Sequence, residues 1–205
     1  MQSTFMRAHA FVERWEGGFV NHKNDPGGAT NRGVSLRWLR AIGADIDGDG
    51  DIDIDDIKAV TPEIARDLFH IHFWQAAACD ALPPLVAVVV YDGAVNMGVS
   101  RAVRQLQEAC NRYVGMPLVV DGGMGPRTLG RVNALAPCGD RAKQIELTRS
   151  IVNAREEFYR RLASKPPTIN AAGQSIDYRA FLGGWLNRTG SLWGWVRQAA
   201  REGVC

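Results

Sequence analysis

No stretch of this 205-residue chain is long and apolar enough to cross a bilayer as a helix. Its most hydrophobic run, Leu85-Val86-Ala87-Val88-Val89-Val90-Tyr91, is seven residues long where about 20 are needed. The N-terminus, Met1-Gln2-Ser3-Thr4-Phe5-Met6-Arg7, lacks the charged head, apolar stretch and small-residue cleavage site of a secretory signal. Synthesis in the bacterial cytoplasm, with no stable membrane anchor, is therefore expected. Four cysteines, Cys79, Cys110, Cys138 and Cys205, show no Cys-x-x-Cys spacing and no histidine cluster beside them, which argues against zinc and for reduced thiols. There is no low-complexity tract and no fixed-period repeat, so disorder, collagen and solenoids are excluded. An excess of charge is missing too. The 24 Lys+Arg against 22 Asp+Glu leave a formal charge of +2, too little for a nucleic-acid binder that relies on bulk positive charge. A monomer without a nucleic-acid partner is expected.

What is present is the composition of a globular protein, 46% hydrophobic and 22% charged. The charge is segregated: residues 1–60 carry 7 basic and 10 acidic side chains, residues 131–205 carry 12 and 6. Apolar periodicity predicts a mostly α fold. Ser3 or Thr4 can cap a helix to about Trp15, which Gly17-Gly18 stops. The breaker-rich Asn21–Gly33 stretch predicts a loop or short β-hairpin. Helices follow over Ser35–Ala41, Thr61 to about Trp74, Val86–Met97, Arg101–Tyr113, Pro126 to about Ala136, Asp140–Ala163 and around Ser191–Arg201, with a break at Lys165-Pro166-Pro167-Thr168.

The first chemically informative group is Glu16, with Asp25 and Thr30 after it. A carboxyl at the end of a helix, between Trp15 and Phe19, meets an electronegative helix terminus and desolvating aromatic walls, and both oppose ionisation. That suits a general acid. Asp25, on a polar glycine-rich loop, stays ionised, and Thr30 can hold a water. Two carboxyls pushed in opposite directions form the working pair of a glycoside hydrolase. Spacing alone leaves this reading open against a solvated helix end followed by an Asp-Pro-Gly-Gly turn.

The strings Glu16-Gly17-Gly18-Phe19-Val20-Asn21 and Asp25-Pro26-Gly27-Gly28-Ala29-Thr30-Asn31-Arg32-Gly33-Val34-Ser35 resemble the signature of the N-acetylmuramidases of glycoside hydrolase family 108, lysozyme-like phage endolysins and secretion-associated muramidases. The resemblance continues in Tyr91–Val103, in the turn Val120-Asp121-Gly122-Gly123-Met124-Gly125-Pro126-Arg127-Thr128, similar to that of helical peptidoglycan-binding modules, and in Phe181–Arg188. It implies a lysozyme-like helical fold and hydrolysis of the β-1,4 bond between N-acetylmuramic acid and N-acetylglucosamine in bacterial peptidoglycan. Glu16 is then the catalytic acid, with Asp25 and Thr30 carried over by analogy. It also implies a catalytic region over residues 1–85 and a helical peptidoglycan-binding-like region over residues 86–205, packed into one globule. Action in the periplasm or cell wall then follows holin-type release or dedicated export. In the second region Tyr91 can offer a plate to a sugar ring, and Asp92 and Asn96 can offer polar contacts; packing of Tyr91 in the core is the equal alternative.

Residues 43–60 interrupt the family pattern with Asp45-Ile46-Asp47-Gly48-Asp49-Gly50-Asp51-Ile52-Asp53-Ile54-Asp55-Asp56. Acids at loop positions 1, 3, 5, 9 and 12 and glycine at 6 are the EF-hand calcium pattern. The expected ligands of a structural Ca2+ are Asp45, Asp47, Asp49, Asp53 and Asp56, with Asp51 through its carbonyl. Position 12 departs from the usual glutamate and resembles dockerin loops. A non-catalytic, calcium-dependent wall-binding or secretion-assisting protein is the alternative from another class. Without the seven aspartates, 24 basic residues face 15 acidic ones, a balance suited to an anionic wall polymer.

Overall fold

The computed structural model describes residues 3–20, 28–169, 173 and 175–203. The fold is mostly α and lysozyme-like, with two small antiparallel hairpins. Residues 9–71 form one compact unit; residues 1–8 and 72–205 form the other. Among the described residues no helix is long and apolar enough to cross a membrane.

The first helix, α1 (Thr4–Glu13), starts where the Ser3 hydroxyl accepts the Met6 N–H at 3.3 Å. It closes through tight turns in which Trp15 and Glu16 donate to the Val12 and Glu13 carbonyls. Glu16 thus lies just past the helix rather than in its last turn. In the smaller unit, β1 (Thr30–Asn31) and β2 (Val34–Ser35) pair as a hairpin. Arg32 (φ 51°) and Gly33 (φ 77°) supply the two left-handed residues of the tight turn that a right-twisted hairpin requires. Ser35 caps α2 (Leu36–Ile42) by accepting the Trp38 N–H, and Gly43 ends it in the left-handed region. A capping box between Asp53 and Asp56 opens α3 (Ile54–Ala59), and Thr61 with Pro62 opens α4 (Pro62–Phe69). The helix expected to run to Trp74 widens at His70 into a π-helical turn, His70–Gln75. Leu39, Ile57 and Phe69 are buried in this unit, and Trp38 meets Phe69 edge-on at 5.7 Å.

The larger unit is organised around α5 (Pro84–Met97), buried continuously from Leu85 to Ala94. Its valine run has modest helix propensity. Burial on every side and Pro84 in the first turn decide for helix over strand. Around it pack α6 (Val99–Cys110), α8 (Arg141–Ala163) and α9 (Arg179–Arg201), with α7 (Pro126–Leu135) against α6 and α8. The last helix begins twelve residues before the expected Ser191 and runs through Gly183-Gly184. Each helical glycine costs about 1 kcal/mol, and the packing of Arg188, Leu192 and Val196 outweighs it. A second hairpin, β3 (Thr168–Ile169) with β4 (Ser175–Ile176), precedes α9. Cys79 and Cys110 are buried free thiols and Cys138 is an exposed one.

Candidate active site

Glu16 is half-buried, and the hairpin turn is its seat. A Cβ on Gly33 would lie 2.7 Å from Glu16 Oε2 and 3.0 Å from its Cγ and Cδ, so the carboxylate rests directly on the glycine backbone. Backbone bonds fix this approach. Arg32 N–H donates to the Gly17 carbonyl at 3.1 Å, and Val20 and Thr30 exchange both backbone bonds at 2.8 Å. The segment after Glu16 is thereby laid along β1, and Thr30, half-buried, enters the same assembly. Asp25 lies outside the described residues. Trp15 and Phe19, expected as desolvating walls, present 37% and 47% of their surface to solvent.

The hairpin is tied in turn to the acidic segment. Asn31 Nδ2 donates to the Ile57 and Val60 carbonyls at 3.0 and 3.3 Å, capturing the end of α3. Before α3, the loop folds on its own carboxylates. Asp45 accepts the Gly48 and Gly50 N–H groups, Asp47 that of Asp49, and Asp49 that of Asp51. Asp56 is 1% exposed and clasps both ends, with Oδ1 accepting from Ile46 at 2.6 Å and Oδ2 from Asp53 at 2.7 Å. These N–H groups hold its carboxyl below the usual range. Carboxylate oxygens of Asp45, Asp47 and Asp49 converge within 4.8 Å of one another, as do those of Asp51, Asp53 and Asp56. The six acids thus form two triplets, with Asp51 contributing its side chain to the second. Crowding shows in the raised carboxyls of Asp51, chiefly through the charge of Asp49, and of Asp47, through desolvation and then Asp49. All donors are hard carboxylate oxygens, the chemistry that Ca2+ takes.

In the larger unit the expected sugar contacts divide. Tyr91 is fully enclosed, edge-on to Phe5 at 5.7 Å and to Trp74 at 5.5 Å, so it has no face left for a sugar ring. Asp92 is equally enclosed and accepts from Arg155 Nη1 at 2.5 Å and Arg188 Nε at 2.9 Å. It holds α5 to α8 and α9. Both assignments give way to core roles. Asn96, one turn on, is half-buried and accepts from the Tyr159 hydroxyl. Sequence reasoning missed Arg155 and Tyr159, whose positions on α8 carry no local mark, and gave Arg188, the last residue of the Phe181–Arg188 string, no role.

The Asp121–Thr128 turn has an unforeseen hub in buried Gln107. Its amide donates to Asp121 Oδ1, the Gly123 carbonyl and Thr128 Oγ1, while its oxygen accepts the Gly122 N–H. Gly122 (φ 81°) leaves no room for a Cβ, which would fall 2.4 Å from Ser100 Oγ.

Comparison with known proteins assigns both halves. Residues 9–98 match the family model described as glycosyl hydrolase 108, and residues 101–200 match the one described as a predicted peptidoglycan domain. No curated protein matches. The solved structure of SagA from Brucella abortus superposes with a TM-score of 0.71 at 27% identity, over 98% of each chain.

Proposed function

We propose, for a chain whose N-terminal half belongs to the glycosyl hydrolase 108 family, that Glu16 is the general acid of a muramidase cleaving the β-1,4 bond between N-acetylmuramic acid and N-acetylglucosamine. The chain is a glycoside hydrolase, and its second family match ties it to peptidoglycan. The observation that carries the residue assignment is the seat of Glu16: a carboxyl within the matched region, held on the Gly33 turn.

Glu16 gives its proton to the glycosidic oxygen as the bond to the anomeric carbon breaks. A water, placed by Asp25 and Thr30, adds its oxygen to that carbon and releases a proton to the ionised carboxylate. Fixing the acid before substrate arrives removes the reorganisation that a mobile side chain would need. Mass spectrometry of digested peptidoglycan tests the bond, since reducing-end muramic acid is expected and reducing-end N-acetylglucosamine overturns it. Glu16→Gln tests the acid; lysis equal to that of the parent would overturn that assignment, and absence of lysis by the parent itself would leave a non-catalytic, calcium-dependent wall-binding or secretion-assisting protein as the reading.

Ca2+ on the Asp45–Asp56 loop belongs to the same proposal, as a structural ion outside the chemistry. The bond from Asn31 to the end of α3 joins that loop to the hairpin under Glu16. Chelation should lower the melting temperature and added Ca2+ restore it; an unchanged melting curve in EDTA sinks the ion. The site of action is the cell wall, reached from the cytoplasm by release or export, where the basic body of the chain faces an anionic polymer.

A further inference from the structure

The segment that joins α6 to α7 holds apolar side chains out in water. Within Val114-Gly115-Met116-Pro117-Leu118-Val119-Val120, Val114 is fully exposed, and Met116 and Val119 present 75% and 73% of their surface. A single exposed apolar residue needs no explanation, but several in one short stretch mark a contact surface.

This tip is not slack chain. The Asn111 side chain clamps Leu118 from both sides, donating to its carbonyl at 2.9 Å and accepting its N–H at 2.7 Å. From α7, Arg131 Nη2 donates to the Tyr113 and Val114 carbonyls at 3.0 and 2.9 Å. Gly115 (φ 132°) lies so close over that guanidinium that a Cβ would fall 2.7 Å from Nη1. Two polar side chains thus fix an apolar tip in a shape that keeps it exposed.

Two features decide what the tip meets. The first is its backbone. The Tyr113, Val114 and Leu118 carbonyls and the Leu118 N–H are already bonded within the protein, and Pro117 has no N–H to offer. An added peptide strand would need such groups free, whereas entry into lipid requires them to be occupied. The second is charge. Residues 104–131 carry four arginines against Glu108 and Asp121, and the Asp121 carboxylate is engaged by Gln107 and the Gly123 N–H. Arg112 is balanced by Glu157, but Arg127 Nη2 stands 3.6 Å from Met116 Sδ and Arg104 Nη2 reaches the Asp121 carbonyl at 3.2 Å. Cations therefore flank the base of an apolar tip, the order in which acyl chains and phosphates are met on entering a bilayer.

We infer that the Val114–Val120 tip docks on the surface of an anionic lipid bilayer. Val114, Met116 and Val119 enter the headgroup and acyl boundary, and Arg104 and Arg127 lie at the level of the phosphates. Asn111 and Arg131 keep the tip in shape. The contact is interfacial and reversible, since a few apolar side chains and charges make a weak anchor.

The test is flotation of the full chain with vesicles of phosphatidylcholine alone and of phosphatidylcholine mixed with phosphatidylglycerol. Binding to the mixed vesicles is expected, weakened by salt, with much less to phosphatidylcholine alone. Met116→Ser and Val119→Ser should each weaken it about tenfold. Arg127→Gln should weaken binding to the mixed vesicles about fivefold and leave phosphatidylcholine binding unchanged. These side chains are exposed, so the melting temperatures should match that of the parent. No flotation with either vesicle overturns the inference, as does binding that Met116→Ser and Val119→Ser leave intact, which would be the work of charge alone. A dimer in sedimentation that Met116→Ser dissolves, without flotation, overturns it in favour of a second copy of this chain. Flotation of a parent that cuts no glycan would bear on the proposed catalysis alone.

Discussion

The carboxylate of Glu16 and the backbone of Gly33 are in such close approach that a single methyl group between them would fall 2.7 Å from Oε2. Gly33→Ala should therefore act twice. A non-glycine residue at φ 77° is strained by about 1–2 kcal/mol, and the new Cβ displaces the acid. A shift on the order of 1 Å at a reacting group costs about a hundredfold in rate. Reducing-end release from purified peptidoglycan should fall by that order while the variant remains folded; parent-like turnover would show that the seat does not position the acid.

Asp92 carries the charge balance of the larger unit, facing two guanidiniums from inside the core. Asp92→Asn keeps the shape and removes the charge, which leaves Arg155 and Arg188 uncompensated. Breaking a buried pair in this way costs about 3–5 kcal/mol. Urea denaturation should show an unfolding free energy lowered by that amount; a loss under 1 kcal/mol, on the order of a surface pair, would mean the cluster is solvated in solution.

Gln107 holds four groups of the Asp121–Thr128 turn at once. Gln107→Leu conserves bulk but strands the Gly122 N–H and removes the donor that lowers the Asp121 carboxyl. The expected loss is about 2–4 kcal/mol. Amide exchange should quicken within residues 121–128 first, and uniform protection there would count against the hub.

His9 is 8% exposed and edge-on to Phe69 at 5.7 Å. Desolvation lowers its affinity for a proton, with Arg66 adding to the effect and Glu13 opposing it. The folded value thus lies below the unfolded one of about 6.5. Above that pH the ring is neutral in both states. As pH falls through it, the unfolded chain takes up the proton first, and stability drops until the folded site titrates as well. The melting temperature of the parent should fall more steeply than that of His9→Gln as pH drops below about 6.5; parallel curves would exclude His9 as the source.

Much of the architecture could be read from local chemistry. Ser35 and Thr61 start helices where their hydroxyls and the neighbouring Pro62 lead one to expect, and Arg32-Gly33 turns the chain where the breakers cluster. What escaped depends on distance along the chain. Asp92 finds Arg155 63 residues away and Arg188 96 residues away, so nothing near Asp92 marks it as a paired interior charge. The seat of Glu16 rests on a glycine that looks like an ordinary turn residue. Helix α9 passes through Gly183-Gly184 because later residues bury against α8, a term that local propensity does not contain.

Burial of Cys79 and Cys110 reaches beyond packing. It pushes both thiols up, Cys110 to about 11, so the thiolate that oxidants and disulfides attack is scarce near neutral pH. Of the three cysteines among the described residues only Cys138 meets solvent. The interior of the fold is consequently indifferent to the redox state of its surroundings: moving from a reducing to an oxidising medium leaves the covalent structure of its core unaltered.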